Sequence, residues 1–198
     1  MNMKTNLLIT IIIILIIVIF LILFMLDISV NFYYKNEKFT LKPDTYDNQV
    51  KKADLLIDLK YKINKLIEHL RLNNIPDREG AERLYNRFKN TNLRETSLLE
   101  SSAGYTINKG HELRLCINKV NGSYQPDIVM FIMLHELAHI LSITYGHNEE
   151  FRGNMDLIVK EAVKIGIYSG QDYTQKPVNY CGVVIRNSPC SFGSCKLN

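Results

Sequence analysis

The sequence lacks internal repeats, low-complexity segments outside one apolar run, and any stripe of basic residues interleaved with aromatic ones. The absence of repeats excludes a solenoid or a propeller, and the absence of a basic aromatic stripe disfavours a nucleic-acid partner. The formal net charge is only +4 over 198 residues. This small excess suits a domain near anionic lipid heads better than a dedicated nucleic-acid binder.

One apolar run dominates the N-terminal part of the chain. Residues 7–26 contain a single polar residue, Thr10, and no charge. As a helix this run reaches about 30 Å, the thickness of the hydrocarbon core of a bilayer. No small-residue cleavage site follows it. The sequence therefore predicts an uncleaved anchor and a single-pass membrane protein. The side on which the domain lies is left open.

A short histidine motif carries the strongest functional signal. Residues 135–139 read His-Glu-Leu-Ala-His, and His147 follows eight positions later. Positions i and i+4 share one helix face, so His135 and His139 can bind one metal ion, with Glu136 beside the bound water that it would deprotonate. His147 can complete a three-nitrogen site with one position open. Chance produces such a motif roughly 0.007 times per chain of this composition, which disfavours a core helix with incidental histidines.

The residues around the motif predict a buried helix. The flanking segments 128–134 and 140–141 are apolar, and buried imidazoles need partners, which a metal ion supplies. Pro126 is expected to begin this helix, and Gly146 to end it after Tyr145.

The third ligand is less constrained by spacing than the first two. Asn148 can cap a second helix over about 149–165, and a turn between the helices can bring His147 back onto the first one. Three carboxylates are rival ligands: Glu149, Glu150 and Asp156. Acidic residues at a helix start are more often solvated and favoured by the helix dipole. Asp156 can instead accept a hydrogen bond from a ligand imidazole.

The run His135-Glu-Leu-Ala-His139, followed by Gly146-His147 and Phe151, resembles the core of the WLM and SprT-like metallopeptidases. In that zincin group, HExxH precedes a Gly-His-x-x-x-Phe segment. The resemblance implies zinc as the cofactor, the three histidines as its ligands, Glu136 as the catalytic base and Phe151 as a packing residue. WLM and SprT proteins are typically soluble and are linked to DNA–protein crosslink repair, a role that an anchor disfavours.

The resemblance extends to either side of the motif. Residues 103–110 and 113–117 resemble the strand region that precedes the metal helix in the same group. Residues 176–182 resemble the tail of uncharacterised metallopeptidases of large DNA viruses. If the chain is viral, the predicted anchor would lie in a host or virion membrane.

The remaining pattern predicts an α+β fold. Apolar residues at helical spacing predict helices over 50–72 and 77–90, and residues 105–117 predict two short strands around a turn. We expect a small zincin-like (minigluzincin or SprT-like) domain with a helical lead, a short antiparallel sheet and a metal-binding helix, after an N-terminal transmembrane helix. The expected segments are an N-terminal tail (1–6), the transmembrane anchor (7–26), a juxtamembrane linker (27–48), the metallopeptidase domain (49–185) and a Cys-containing tail (186–198).

The four cysteines permit several states. They are Cys116, Cys181, Cys190 and Cys195. An even number allows two disulfides in three pairings, and four reduced thiols are an equal alternative. The Cys190-x4-Cys195 spacing lacks the second pair that a zinc knuckle requires.

Together these residues predict a membrane-anchored zinc metallopeptidase. Glu136 would act as general base on zinc-bound water, and a protein or peptide substrate would pair with an edge strand at 113–117. Three side chains are candidate oxyanion donors, none preferred: Tyr173, Tyr180 and His111. The alternative is a non-catalytic zincin-fold protein of a membrane or virion envelope. Glu136 favours the enzyme, because a structural metal site needs no base. The oligomeric state is left open.

Overall fold

The computed structural model describes residues 3–26, 29–97, 100 and 102–186, apart from the side chains of residues 3–5 and 23–26. These residues form helices and short strands. The helices are α1 (Met3–Leu26), α2 (Tyr46–Leu72), α3 (Arg78–Phe88), α4 (Pro126–Leu141) and α5 (Glu149–Lys164). The strands are β1 (Val30–Tyr34), β2 (Glu37–Leu41), β3 (Asn92–Glu95), β4 (Gly104–Ile107), β5 (Glu112–Leu115), β6 (Lys119–Val120), β7 (Ser123–Tyr124), β8 (Val178–Tyr180) and β9 (Val183–Ile185).

The central sheet has the strand order β1-β2-β3-β5-β4 and is mixed. The pairs β1–β2 and β4–β5 are antiparallel, whereas β3 runs parallel to both β2 and β5. The parallel pairing arises because α2 and α3 carry the chain back between β2 and β3, and such a crossover leaves the two strands parallel. The expected short antiparallel sheet, and the α+β class that included it, are therefore corrected. The described residues form a mixed α/β fold.

The edge of this sheet beside α4 is β4. The expectation that residues 113–117 form an edge strand is wrong, because β5 is hydrogen-bonded to β3 on one side and to β4 on the other. Strand β4 packs directly against α4. A glycine allows the close approach, since a Cβ on Gly104 would lie only 2.6 Å from Cγ2 of Ile132.

The helical periodicity predicted for the lead is confirmed in α2 and α3. Asp77 caps α3 by accepting a hydrogen bond from the Gly80 N–H at 2.8 Å. The predicted apolar face of α2 is buried in the core: Leu56, Leu59, Ile63, Leu66, Ile67 and Leu70. These residues form one continuous hydrophobic cluster with α4 and the inner face of the sheet. The core therefore lies directly behind the histidine motif.

Helix α4 is buried on nearly all sides, as its apolar composition predicted, but it is shorter than expected. It ends at Leu141 rather than at Tyr145. Arg83 of α3 donates to the Leu141 carbonyl at 3.1 Å. Arg87 donates to the Ile140 carbonyl at 2.6 Å. These cations satisfy the free carbonyls of the last turn and favour its end through the helix dipole.

No helix in the described part of the chain is both long enough and apolar enough to cross a membrane. The predicted transmembrane anchor over residues 7–26 and the single-pass membrane localisation are therefore corrected.

The N-terminal strands also change the expected organisation. Strands β1 and β2 lie within residues 27–48, the stretch predicted as a linker, so the sheet begins before residue 49. The other domain boundaries stay predictions, and the predicted tail lies outside the described residues from residue 187 onward.

One disulfide joins the sheet to the end of the described chain. Cys116, just after β5, bonds to Cys181, in the turn between β8 and β9, with their Cα atoms 6.4 Å apart. This bond selects one partner for Cys116 among the pairings that the sequence left open. Cys190 and Cys195 lie outside the described residues.

Candidate metal centre

Two histidines of α4 and one histidine of the following loop converge on one point. His135 and His139 lie one helical turn apart, with ring centroids separated by 5.0 Å. The loop after α4 brings Nε2 of His147 to 2.9 Å from Nε2 of His135 and to 3.2 Å from Nε2 of His139. In the described residues, these three form the group of side chains that could hold a metal ion, with ligand atoms within 4.8 Å of one another.

The geometry and charge of this group fit zinc. Bonds of 2.0–2.1 Å in a tetrahedron place ligand nitrogens about 3.3 Å apart, close to the separations seen here. Burial, reinforced by repulsion from the neighbouring imidazoles, lowers the pKa of His135 to about 3. The same causes, with Lys109 added, lower the pKa of His139 to about 4. Both rings are therefore neutral near pH 7, the state that a metal ligand requires.

Phe151 forms the floor of the histidine group. It is buried in the first turn of α5 and lies 4.2 Å from His139, centroid to centroid, with the two rings stacked. It also contacts His135 at 4.8 Å and His147 at 4.6 Å. Asn148 caps α5, as predicted, by accepting a hydrogen bond from the Phe151 N–H at 3.1 Å. The cap thus fixes the packing residue against all three rings.

Glu136 lies beside the histidines on α4. Its side chain is almost fully buried, with 4% of its surface exposed. Burial raises the pKa of Glu136 to about 8, and a hydrogen bond from the Thr106 N–H of β4 opposes that rise. A cation bound by the histidines would favour the ionised carboxylate, the form that accepts a proton.

Two charged side chains hold the loop that carries His147. Glu150 accepts hydrogen bonds from the N–H groups of Ile143, at 2.6 Å, and Thr144, at 2.9 Å. It also accepts from the Thr144 hydroxyl. Lys109, in the β4–β5 turn, donates to the carbonyls of Thr144 and Ser142. The loop is therefore fixed from both sides by charge-assisted hydrogen bonds, which are stronger than neutral ones.

Glu150 thus binds the loop rather than the metal position. Hydrogen bonds from Thr144 and Ile143 lower the pKa of Glu150 to about 2. The other two rival ligands, Glu149 and Asp156, also lie on α5. In the described residues, none of the three belongs to the group that could hold a metal.

Two cavities meet at His135 and Glu136. The apolar cavity, of about 200 Å³, lies between β4, α4 and β9, and the larger part of its lining is apolar: Ala103, Gly104, Phe131, Ile132, Val183, Val184 and Ile185. The histidine cleft, of about 390 Å³, lies on the other side and is lined by all three histidines, residues 104–106, Asn108, Lys109 and Tyr145. The position between the histidines is thus open to a substrate from the cleft.

The three candidate oxyanion donors lie elsewhere. Tyr173 is buried and packs on Phe131 with centroids 5.1 Å apart. Tyr180 is buried as well, and its hydroxyl donates to the Cys116 carbonyl at 3.0 Å. His111 lies exposed in the β4–β5 turn. None of the three lines either cavity.

Sequence reasoning missed four residues of the site: Thr106, Lys109, Tyr145 and, in its actual role, Glu150. Tyr145 lines the cleft with 80% of its surface exposed, and the Lys109 ammonium lies 4.3 Å from its ring centroid. The Asn-Lys-Gly turn was recognisable, but Lys109 binds carbonyls more than thirty residues away. No local pattern signals such a contact.

No family model matches the chain. Uncharacterized protein R325 of Acanthamoeba polyphaga mimivirus is 31% identical over 138 residues, which are 68% of this chain and 66% of the relative. Uncharacterized protein 136R of Invertebrate iridescent virus 6 is 34% identical over 94 residues, 45% of this chain and 51% of the relative. The chain thus spans about half to two thirds of the length of these curated viral relatives.

Among solved structures, Wss1 from Saccharomyces cerevisiae is 25% identical and has a TM-score of 0.34. The likeness covers 50% of this chain and 80% of that chain. A TM-score this low marks a weak likeness, so the case for a function comes from the chain's own residues.

Proposed function

We propose that this protein is a zinc-dependent metallopeptidase that hydrolyses peptide bonds. One observation carries the proposal: three imidazole nitrogens converge beside a buried carboxylate at an open cleft. A purely structural zinc site is closed by a fourth protein ligand and needs no base. Here the cleft leaves one side of the histidine group accessible, and Glu136 lines that cleft.

His135, His139 and His147 would hold the zinc ion. When bound, the ion supplies a Lewis acid that acidifies a water molecule and polarises the scissile carbonyl. Glu136 would take the proton from that water and deliver it to the leaving amine. Glu136 is almost fully buried and lines the cleft beside Thr106 of β4, so its carboxylate has little freedom to reorganise during the reaction.

The edge strand β4 is the docking position that we propose for the substrate backbone. It is the last strand of the central sheet, and its residues 104–106 line the cleft. An extended peptide can add to such an edge through main-chain hydrogen bonds. Strand β4 therefore takes the role that the sequence assigned to residues 113–117.

The test compares the wild-type full-length chain with Glu136→Gln and with Glu149→Gln, a control on an exposed carboxylate of α5. Zinc content and cleavage of an unfolded protein are measured for each. We expect about one zinc per chain in all three, and a loss of cleavage of about 10²- to 10⁴-fold only in Glu136→Gln.

If the purified wild-type protein contains no zinc, the proposed metal site is wrong. Zinc-loaded wild type as inactive as Glu136→Gln would instead support the alternative, a metal-binding protein without turnover.

A further inference from the structure

We propose that the apolar cavity binds a bulky aliphatic or aromatic side chain of the substrate, and that the Cys116–Cys181 disulfide maintains this specificity by holding one wall of the cavity. The inference rests on the proposed peptidase function and names the substrate class of the same site. It assigns the β8–β9 hairpin to substrate selection rather than to the metal centre.

The position of the cavity fits a residue next to the scissile bond. His135 and Glu136 lie in its lining as well as in the histidine cleft. A peptide extended along β4 would carry its reacting carbonyl past these two residues. Because side chains alternate along an extended strand, a neighbouring side chain would point into the cavity.

The chemistry of the cavity selects the kind of side chain. Phe131 and Ile132 come from α4, Ala103 precedes β4, and Val183 and Ile185 come from β9. A volume of about 200 Å³ accommodates a leucine or phenylalanine side chain. Glu136 and Arg186 are the charged groups in a lining that is otherwise mostly apolar. Burial of an apolar side chain against this lining is favourable, whereas a charged side chain would lose most of its hydration there.

One wall of the cavity depends on the disulfide. Strand β9 pairs only with β8 in the described sheets, so neither strand joins the central sheet. Apart from apolar packing, the hairpin is tied to the end of β5 by the disulfide and by the Tyr180 hydroxyl. That hydroxyl donates to the Cys116 carbonyl and accepts from the Asn118 N–H.

The histidine centre does not share this dependence. Its ligands stand on α4 and on a loop held by Lys109 and Glu150. Its floor, Phe151, belongs to α5. None of these groups lies on the hairpin, so loosening the hairpin would open the cavity while leaving the zinc ligands in place.

The first experiment measures kcat/KM of zinc-loaded full-length wild type on two peptides that differ only at the residue flanking the scissile bond, leucine or glycine. We expect the leucine peptide to be preferred by about tenfold or more, the discrimination that an apolar pocket achieves. Val183→Phe, which fills the cavity, should lower kcat/KM for the leucine peptide at least tenfold and so remove the preference, with zinc content unchanged. Val178→Phe is the control, since it lies on the paired strand β8 outside the cavity lining and should keep the preference.

The second experiment reads binding without turnover. Methyl NMR spectra of isotope-labelled, metal-free Glu136→Gln protein are recorded with each peptide. Shifts at the Ile132, Val183 and Ile185 methyls with the leucine peptide, and weaker shifts with the glycine peptide, support the cavity assignment even if no variant cleaves. Equal cleavage of both peptides, or no shifts at these methyls, overturns it while leaving the peptidase proposal standing.

The role of the disulfide is tested with Cys116→Ser/Cys181→Ser, which removes both thiols. We expect retained zinc and glycine-peptide cleavage with loss of the leucine preference. If the double variant does not fold, a mild reductant is added to the wild type instead. The peptide preference and the methyl shifts with the leucine peptide are then measured again, and both should decrease. An unchanged preference after reduction overturns the dependence on the disulfide.

Discussion

Two of the histidines stand on a packed helix and the third on an exposed loop, and the two settings hold them by different forces. His135 and His139 are placed by α4, whose neighbours in the helix are buried in the core. His147 is exposed, and its loop is fixed by a hydrogen bond that Lys109 donates to the Thr144 carbonyl and by one that Glu150 accepts from the Thr144 N–H. Packing is insensitive to charge, whereas these hydrogen bonds depend on ionisation. The comparison teaches that one site can combine two ligands fixed by core packing with a third ligand whose position depends on charged side chains.

The largest effect should come from removing a helix ligand. His139→Ala leaves two imidazoles, and we expect zinc affinity to fall on the order of 1000-fold, beyond the 10- to 100-fold cost of losing an outer hydrogen bond. Competition titration with a chelator measures the change. His111→Ala, on an exposed histidine of the β4–β5 turn, is the control. Unchanged affinity in His139→Ala would contradict the assignment of the ligand.

The next largest effect should come from disturbing the core packing of α4, the helix that carries His135 and His139. Met133→Ala removes a fully buried side chain of α4, and we expect a loss of about 3 kcal/mol in the free energy of unfolding from the cavity that remains. Urea denaturation measures it. Because no ligand is touched, zinc affinity of the folded fraction should change much less than in His139→Ala. If Met133→Ala lost zinc affinity without losing stability, the separation between packing in the core and zinc binding by the histidines would be wrong.

A smaller effect should come from the loop that carries His147. Lys109→Met keeps most of the side-chain volume but removes the donor to Ser142 and Thr144. We expect about a tenfold loss of zinc affinity, the size of an outer-shell contact, with stability lowered by about 1 kcal/mol or less. Lys176→Met, on an exposed lysine, serves as the control. If Lys109→Met lost as much zinc affinity as His139→Ala, the hydrogen bonds that Glu150 accepts would not be enough to keep the loop in position.

The smallest effect depends on pH. The pKa of Glu150 is lowered to about 2 in the fold from 4.5, so its carboxylate stabilises the fold above pH 4.5, and this contribution is lost as the pH falls toward 2. Since Glu150 is partly exposed, we expect Glu150→Gln to cost about 1 kcal/mol at pH 7. Urea denaturation of the metal-free protein should show this difference shrinking below pH 4.5. Glu149→Gln should show no such trend, and a difference independent of pH would contradict the role of the carboxylate.

The part of the site that lies on α4 could be predicted from the sequence. Helix spacing placed His135, Glu136 and His139 together, and the Asn148 cap of α5 was recognisable, because both depend on residues within one or two turns. The early end of α4 was not predictable, since Arg83 and Arg87 reach it from another helix. The loop supports and the partner of Cys116 depend in the same way on distant contacts.

Two broader expectations failed for a related reason. Hydropathy alone predicted a membrane anchor, and the parallel pairing of β3 is set by a crossover rather than by its own residues. With the anchor corrected, the prediction that nucleic acid is not a partner rests on the charge pattern alone.

The contact between β4 and α4 has a consequence for the shape of the cleft beside the base. At position 104 only a hydrogen atom separates the strand from Ile132, and the Arg114 carbonyl lies 3.2 Å from where a Cβ would stand. Any larger group would push the strand away from the helix. Thr106 lies two residues further along the same strand and lines the cleft together with Glu136, so a displaced strand would also widen the cleft at the proton acceptor. The smallest residue in the strand thus limits how much room the cleft leaves beside that carboxylate.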